Sequence, residues 1–413
     1  MADKVGLSYY LPRDRKPTTL IKIPGSHTVY VGPSACIRRH YIHNHMCGNK
    51  SGFSTLYVSE ADVATGHYED LIIESIGSLN EILDPVPRIY IITVFCIDDF
   101  IGTDEDAMVR KLSERYPGFK FAFTHVNPIS MNERLNGGMA KHFDLYSFVE
   151  SSEKDLGINL VGHFVPLDPD CEFIPTLKSW GFGPIREIFN CKTYEEYQDM
   201  GKSCASIIMR NVGIAFESKQ LKDVLQIPDY YFKNHYDAQK IAESYKEMAA
   251  FLKKPLPDYS GEVEGIKKRA SEVVSLVGNT PVAIDCNASL TLFRTALALI
   301  DYGFNVRYLF KANGPRRLDA DEEKYIIEKY PEIQISRAVD YANLYKEHQD
   351  GDCIAIGDDA ARIMRAKHVI HMWRDEGYFG FHGIKKLLAA IEQAYLTEYD
   401  WAKTPTLTDA RKQ

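Results

Sequence analysis

The 413-residue chain reads as an α/β protein built from three Rossmann-like domains, each a parallel sheet flanked by helices. Three observations lead there. The length exceeds one ordinary domain and suits two or three of roughly 100–150 residues. One unit recurs along the chain: a continuous apolar run, a small or acidic loop, an amphipathic stretch, then another apolar run. Polar and proline-rich joints separate the copies. Continuous apolar strands that alternate with helices form parallel sheets covered on both faces.

The elements follow in order. In the first copy a strand at 88–96 leads through a loop at 98–102 to a helix at 105–116 and a strand at 119–126. In the second, a strand from Ile158 leads through a loop around Asp168 to a helix at 173–180 and a strand from Pro184. In the third, a strand at 280–286 leads to a helix at 290–302 and a strand from Asn305. A shorter relative comes next: a strand from Asp352, a helix from Asp358 and a strand from Lys367. Helical stretches at 237–254 and 262–277 bridge the last two domains. The expected boundaries are an N-terminal segment at 1–25, domains at 26–152, 153–258 and 259–403, and a tail at 404–413. Ligands of such folds bind at loops beyond the carboxyl ends of the strands.

Composition narrows the function. With 45% hydrophobic and 26% charged residues the chain can bury a sizeable core. Its net charge of −8 argues against nucleic acid, which requires a basic face. No stretch approaches the ~20 apolar residues of a membrane span, and the start is polar, so the expectation is a cytoplasmic protein without membrane contact. The eight cysteines include no CxxC pair, which argues against zinc ribbons and ferredoxin-type runs.

Two cysteines stand apart. Cys36 ends the sequence Gly32-Pro33-Ser34-Ala35-Cys36, which comes after a short apolar run and places the thiol in a strand-exit loop. Cys96 closes the strand at 88–96 and precedes the acidic Asp98-Asp99. Two thiols at two strand ends of one domain can converge on an iron–sulfur cluster, or can simply be two buried thiols. Downstream, His43-x-His45-x-Cys47 in a strand or loop offers zinc ligands, although three donors are fewer than a zinc site needs.

With the Gly32-Pro33…Cys36 loop, the Glu60-x-Asp62…Gly66 segment and Cys96 before Ile101-Gly102-Thr103-Asp104, the chain resembles the nitrogenase component 1 family. That family comprises the nitrogenase catalytic subunits, their cofactor scaffolds and nitrogenase-like reductases. Gln226-Ile227-Pro228 resembles a motif of its second domain, and Gly377-Tyr378-Phe379-Gly380 one of its final segment. The resemblance implies cluster binding by Cys36 and Cys96, with Gly32 and Pro33 shaping the loop and Cys47 as a further candidate ligand. Two thiolates per chain imply a [4Fe–4S] cluster shared across a homodimer, or across a heterodimer or heterotetramer with a component-1-like subunit. No cysteine precedes Cys36, so the larger cluster of the nitrogenase subunits is not implied.

The family's iron–molybdenum cofactor is held by a cysteine and a histidine. Here the cysteine's place is taken by Arg210, while His371 stands at the histidine's place. A second metallocofactor is therefore left open, and a dinitrogen-reducing one is not implied. Neither a phosphate-binding loop nor a dinucleotide fingerprint is present, because Glu196 stands where a Walker motif needs glycine. The resemblance supplies a separate ATP-dependent iron protein as electron donor. The expected function is thus a reductase subunit passing low-potential electrons to a substrate in an interdomain cleft, with His371, Arg210, His43 and Asp98 as candidate catalytic groups. The alternatives are a scaffold that assembles or stores a metallocluster, and a metal-free binding protein of the same fold. The substrate stays open among tetrapyrroles, thioethers and metalloclusters.

Overall fold

A computed structural model of the chain describes residues 22–126, 140–141, 144–162, 165–209, 219–312, 318–338 and 351–401. Among these residues the chain forms two compact units, one from 15–164 and 182–231, the other from 165–181 and 232–413.

The first unit holds two sheets. Sheet one contains β1 (Ser26–Gly32), β2 (Phe53–Tyr57), β3 (Ile89–Phe95), β4 (Lys120–Val126) and the edge strand β5 (Ala140–Lys141), in the order β2-β1-β3-β4-β5. All neighbours are parallel except β5, which pairs antiparallel with β4. Every residue of β3 is buried, which explains its unbroken apolar sequence. Around the sheet lie α1 (Ser34–Met46), α2 (Glu60–Ala64), α3 (Tyr68–Ile82), α4 (Cys96–Ile101) and α5 (Glu105–Arg115). Helical spacing puts Tyr68, Ile72, Ile76 and Leu79 of α3 on one face, packed with Met108 and Leu112 of α5 against the strands. Sheet two contains β6 (Ile158–Val161), β7 (Ile185–Glu187), β8 (Ala205–Ile208) and β9 (Asp229–Tyr231), parallel in the order β7-β6-β8-β9. A core that includes Ile89, Tyr146, Val149, Val161, Ile188 and Met200 joins the two sheets.

In the second unit α6 (Phe173–Ser179) packs away from the strands that flank it in sequence. Phe173 meets Phe232 and Phe379 with ring centroids 5.1 Å apart. Sheet three contains β10 (Val282–Asp285), β11 (Val306–Lys311), β12 (Gln334–Arg337), β13 (Ile354–Ile356) and β14 (His368–Ile370), all parallel in the order β12-β11-β10-β13-β14. Its helices include α8 (Ala238–Phe251), α9 (Ser260–Val277), α10 (Leu292–Tyr302), α11 (Ala320–Lys329), α12 (Asp358–Met364) and α13 (Gly380–Tyr395), while α7 (Tyr194–Gln198) belongs to the first unit. The Glu172 carboxylate caps α13, accepting from the backbone N–H of Phe381 at 2.7 Å and of His382 at 3.1 Å.

The α/β class with parallel sheets flanked by helices is therefore the observed architecture. Two local expectations change. The stretch 98–102, read as a loop, belongs to α4, which opens at Cys96 itself. Asp98 and Asp99 occupy its first turn, where negative charge is favoured, and Gly102 ends it at φ +75°. The stretch 43–47, read as strand or loop, is the last turn of α1 and the cap after it. Among the described residues, no helix is long and apolar enough to cross a membrane.

Strand order determines where these sheets open for a ligand. In sheet one the chain runs from β1 outward to β2, then returns to place β3 on the other side of β1. The crevice at the carboxyl ends of β1 and β3 is thus a topological switch point, the usual ligand position in open parallel sheets. In sheet three the same reversal falls between β10 and β13.

Candidate functional site

The two singled-out cysteines stand at the first of these switch points. β1 and β3 pair in register, Val31 beside Val94, so both strands leave the sheet side by side. After β1 the chain turns at Gly32 and Pro33, and Cys36 falls in the first turn of α1, its N–H donating to the Pro33 carbonyl at 3.0 Å. After β3 the chain enters α4 at Cys96 directly. Cys96 is near enough for its thiol to act on Cys36, by charge and as a hydrogen-bond partner. Both are half-buried. Burial first, then the neighbouring Cys96, push the Cys36 thiol above its ordinary pKa.

The surroundings explain the glycine and the rings. A Cβ added at Gly32 would lie 3.0 Å from the Phe95 ring, so the glycine eases the close approach of β1 to the residue before Cys96. Cys36 packs against a small core of Tyr30, Ile37, Phe95 and Val126. His40, one turn beyond Cys36, lies with its ring 5.2 Å from both Tyr30 and Phe95. Burial, then the charges of Arg39 and His43, lower its pKa to about 4, so it is neutral at pH 7.

Other candidate residues are placed as follows. Cys36, His40, His43 and Cys47 recur along one stripe of α1, but Cys47 lies about three turns from Cys36, or ~16 Å of helix rise. Its sulfur contacts His43 Nε2 at 3.6 Å, and it does not join the cysteine pair. His45, on a helix rather than a strand, points away from that stripe and packs against Tyr41 with centroids 4.4 Å apart and ring planes tilted by 58°. Among the described residues no three His, Cys, Asp or Glu side chains are grouped so as to hold a metal ion, which removes the His43-His45-Cys47 zinc arrangement. The pair Cys36 and Cys96 therefore matches half of a four-thiolate set, with soft donors of the kind iron–sulfur clusters take.

Asp98 is buried, not presented at the surface. Burial raises its pKa, opposed by the hydroxyls of Thr103 and Tyr68 and by the charge of His125. His125 was not singled out from the sequence. It sits at the end of β4, with Nδ1 3.1 Å from Asp99 Oδ1, Nε2 3.8 Å from Asp98 Oδ2, and Nε2 also against the Glu105 carboxylate. Desolvation alone would lower its pKa, but the hydrogen bond and charge of Glu105, with Asp98 and Asp99, raise it overall. The His125 imidazole thus ties the start of α5 to the helix that carries Cys96.

In the second unit, the switch point of sheet three carries a separate polar group. Asp285, at the end of β10, accepts from the backbone N–H of Asn287 at 2.8 Å, of Ala288 at 2.9 Å and of Ala360 at 2.9 Å. Burial first, then the charge of Asp359, push its carboxyl up to about 7. Gly357 is required here, because a Cβ would strike the Asp285 carboxylate and its φ is +106°. His371 follows β14, exposed, its Nδ1 2.7 Å from Asp358 Oδ1. Arg210 lies outside the described residues.

Known proteins share this architecture. The family model described as nitrogenase component 1 type oxidoreductase matches residues 18–396. A solved structure titled "Nitrogenase Cp1 at pH 6.5" superposes with a TM-score of 0.64 at 13% identity, over 94% of this chain and 95% of that one. Another, titled "Nitrogenase Cp1 at pH 5", gives 0.56 at 13% identity, over 90% of this chain and 85% of that one. At that identity the superpositions speak for the fold alone. Comparison with curated proteins gives no match. Since the family model spans nearly the whole chain, this protein belongs to the nitrogenase component 1 type oxidoreductase family.

Proposed function

We propose that the chain is the electron-accepting subunit of a nitrogenase-like reductase, with Cys36 and Cys96 as its contribution to a [4Fe–4S] cluster shared with a second component-1-like subunit. One observation carries this reading: Cys36 and Cys96 follow the ends of the adjacent strands β1 and β3 at the switch point of sheet one. Such a cluster supplies one-electron transfer when bound. The chain's own residues prepare the place. Gly32 lets the two strand ends close up, Phe95 and Ile37 give the pair an apolar floor, and His125 fixes the helix that begins at Cys96.

The need for a partner follows from the donor count, since two thiolates leave half the ligands to be found. The surface around the pair agrees. Of the thirteen residues of α1 only Ile37 and Asn44 are buried, while Ile42 and Met46 are 49% and 53% exposed, and Phe100 of α4 is 76% exposed. Large apolar side chains left outward beside a ligand pair suit a subunit contact. Whether that partner is a second copy or a paralogue, electrons would come from a separate ATP-dependent iron protein.

In the second unit, His371 is the group proposed to contact substrate or a second metallocofactor. Its Nδ1 is engaged by Asp358, the carboxylate-oriented arrangement found in metal-ligating histidines. A scaffold that hands its cluster on would use the same cysteine pair and would differ in lacking ATP-dependent reduction.

The test is anaerobic purification of the chain and its Cys96→Ala variant, with iron and acid-labile sulfide measured per folded chain. The proposal expects both elements in the native protein and their loss in the variant. Folded native protein that takes up neither, even after reconstitution with ferrous iron and sulfide, would end it.

A further inference from the structure

We infer that Cys36 and Cys96 are also a redox-modification site, forming an intramolecular disulfide in the metal-free chain that shuts out iron until it is reduced. The first half of this inference stands on the chain's own geometry; the exclusion of iron rests on the cluster reading.

A disulfide needs two cysteines whose Cα atoms lie within about 7 Å and whose side chains point at one another. Sheet one brings the two cysteines to the ends of neighbouring strands. The register of β1 on β3 brings the strand ends together, the missing side chain of Gly32 lets Phe95 approach, and Cys36 packs on the core that contains Phe95. Cys96 is also the neighbouring thiol that acts on Cys36. Neither is sealed in, so an oxidant of small size reaches them.

Competing partners are remote or hidden. Cys47, the other thiol associated with α1, is ~16 Å further along the helix axis and lies against His43. Cys171, Cys286 and Cys353 are buried. The sulfurs of Cys191 and Cys204 donate to the carbonyls of Glu187 and Gly157.

The chemistry balances with a two-electron acceptor of the azo or disulfide class. With an azodicarboxamide, one thiolate adds to the N=N bond and the second attacks the sulfur of that adduct. The S–S bond forms, two S–H bonds are lost, and the two electrons and two protons leave on the hydrazine product. Once closed, the bridge removes both thiolates, so the metal has no ligands to bind.

The metal-free full-length chain is treated with diamide and mapped as peptides without reduction. The expected result is a mass loss of about 2 Da, disappearance of two of the eight thiols, and a linked peptide joining Cys36 to Cys96. Cys36→Ser, which circular dichroism should show folded, then loses the linked peptide. Ferrous iron and sulfide should load the reduced chain but not the oxidised one, and dithiothreitol should restore loading. Linkage of other cysteines, a covalent dimer through Cys36, or eight unreacted thiols would each overturn the inference. A chain that forms the bridge but never binds iron would sink the cluster reading and leave the bridge standing. A chain that binds iron normally while oxidised would show that the bridge does not gate it.

Discussion

The carboxylates of Asp285 and Asp359 lie together inside the switch point of sheet three, both buried, so that ionising the two at once is costly. Asp359 also accepts from Asn287 Nδ2 at 2.5 Å, and the flanking groups include Asp358, His371 and Asp375 from the adjoining loops. The pair favours holding a proton at a pH where an unfolded aspartate has none.

That has a measurable consequence. Asp285 is raised from the ordinary 3.8 to about 7, so the folded state binds the proton more tightly than the unfolded one. The resulting stability is fully present below about pH 4 and is lost as pH climbs toward 7. Thermal unfolding of the wild type should show that decline superimposed on the protein's other titrations. Asp359→Asn removes the like charge and keeps an oxygen for Asn287, so its Tm relative to wild type should rise between pH 5 and pH 8. A constant difference across that range would rule out the shared proton.

A second prediction concerns His125. Replacing it with glutamine leaves Asp98, Asp99 and Glu105 crowded without their cation, a loss of about 3 kcal/mol for a largely buried partner. The sign of the pH dependence is opposite to habit for a histidine in a core. Its folded pKa is raised above 6.5, so its contribution is complete below 6.5 and fades as pH rises through the higher folded value. Urea unfolding should show a larger His125→Gln penalty at pH 6 than at pH 9. Equal penalties would mean the imidazole acts by packing alone.

The exposed apolar side chains yield a third. Ile42→Glu combined with Phe100→Asp touches no core position, so stability should move by no more than about 0.5 kcal/mol, read from Tm. Sedimentation velocity should nevertheless show the double variant shifted to the single-chain species. A variant that still associates as wild type does would place the subunit contact elsewhere.

Much of this architecture was legible because buried parallel strands advertise themselves. β3 and β10 are short, mostly apolar runs, and Cys36 and Cys96 stand out because they lie where such runs stop. What escaped is what depends on residues far apart in sequence. His125 lies at the end of an apolar strand and carries no local sign that Asp98, Asp99 and Glu105 will surround it. Asp285 meets Asp359 only because β10 and β13 are neighbours, which no spacing along the chain announces. The His43-x-His45 alternation misled because two-residue spacing means one face only on a strand. On α1 it separates the rings by about 200°.

Helix α1 holds to its sheet through Ile37, through His40 against the rings of Tyr30 and Phe95, and through Asn44, which donates to the Tyr30 hydroxyl at 2.9 Å. With only two of its thirteen residues buried, its amides should exchange with solvent by local opening rather than global unfolding. Cys36, in the first turn, is held by the strand before it and by the core of Tyr30, Ile37, Phe95 and Val126. In the assembly proposed above a neighbouring subunit would cover this exposed face, and hydrogen exchange along α1 would then gauge how far assembly has gone.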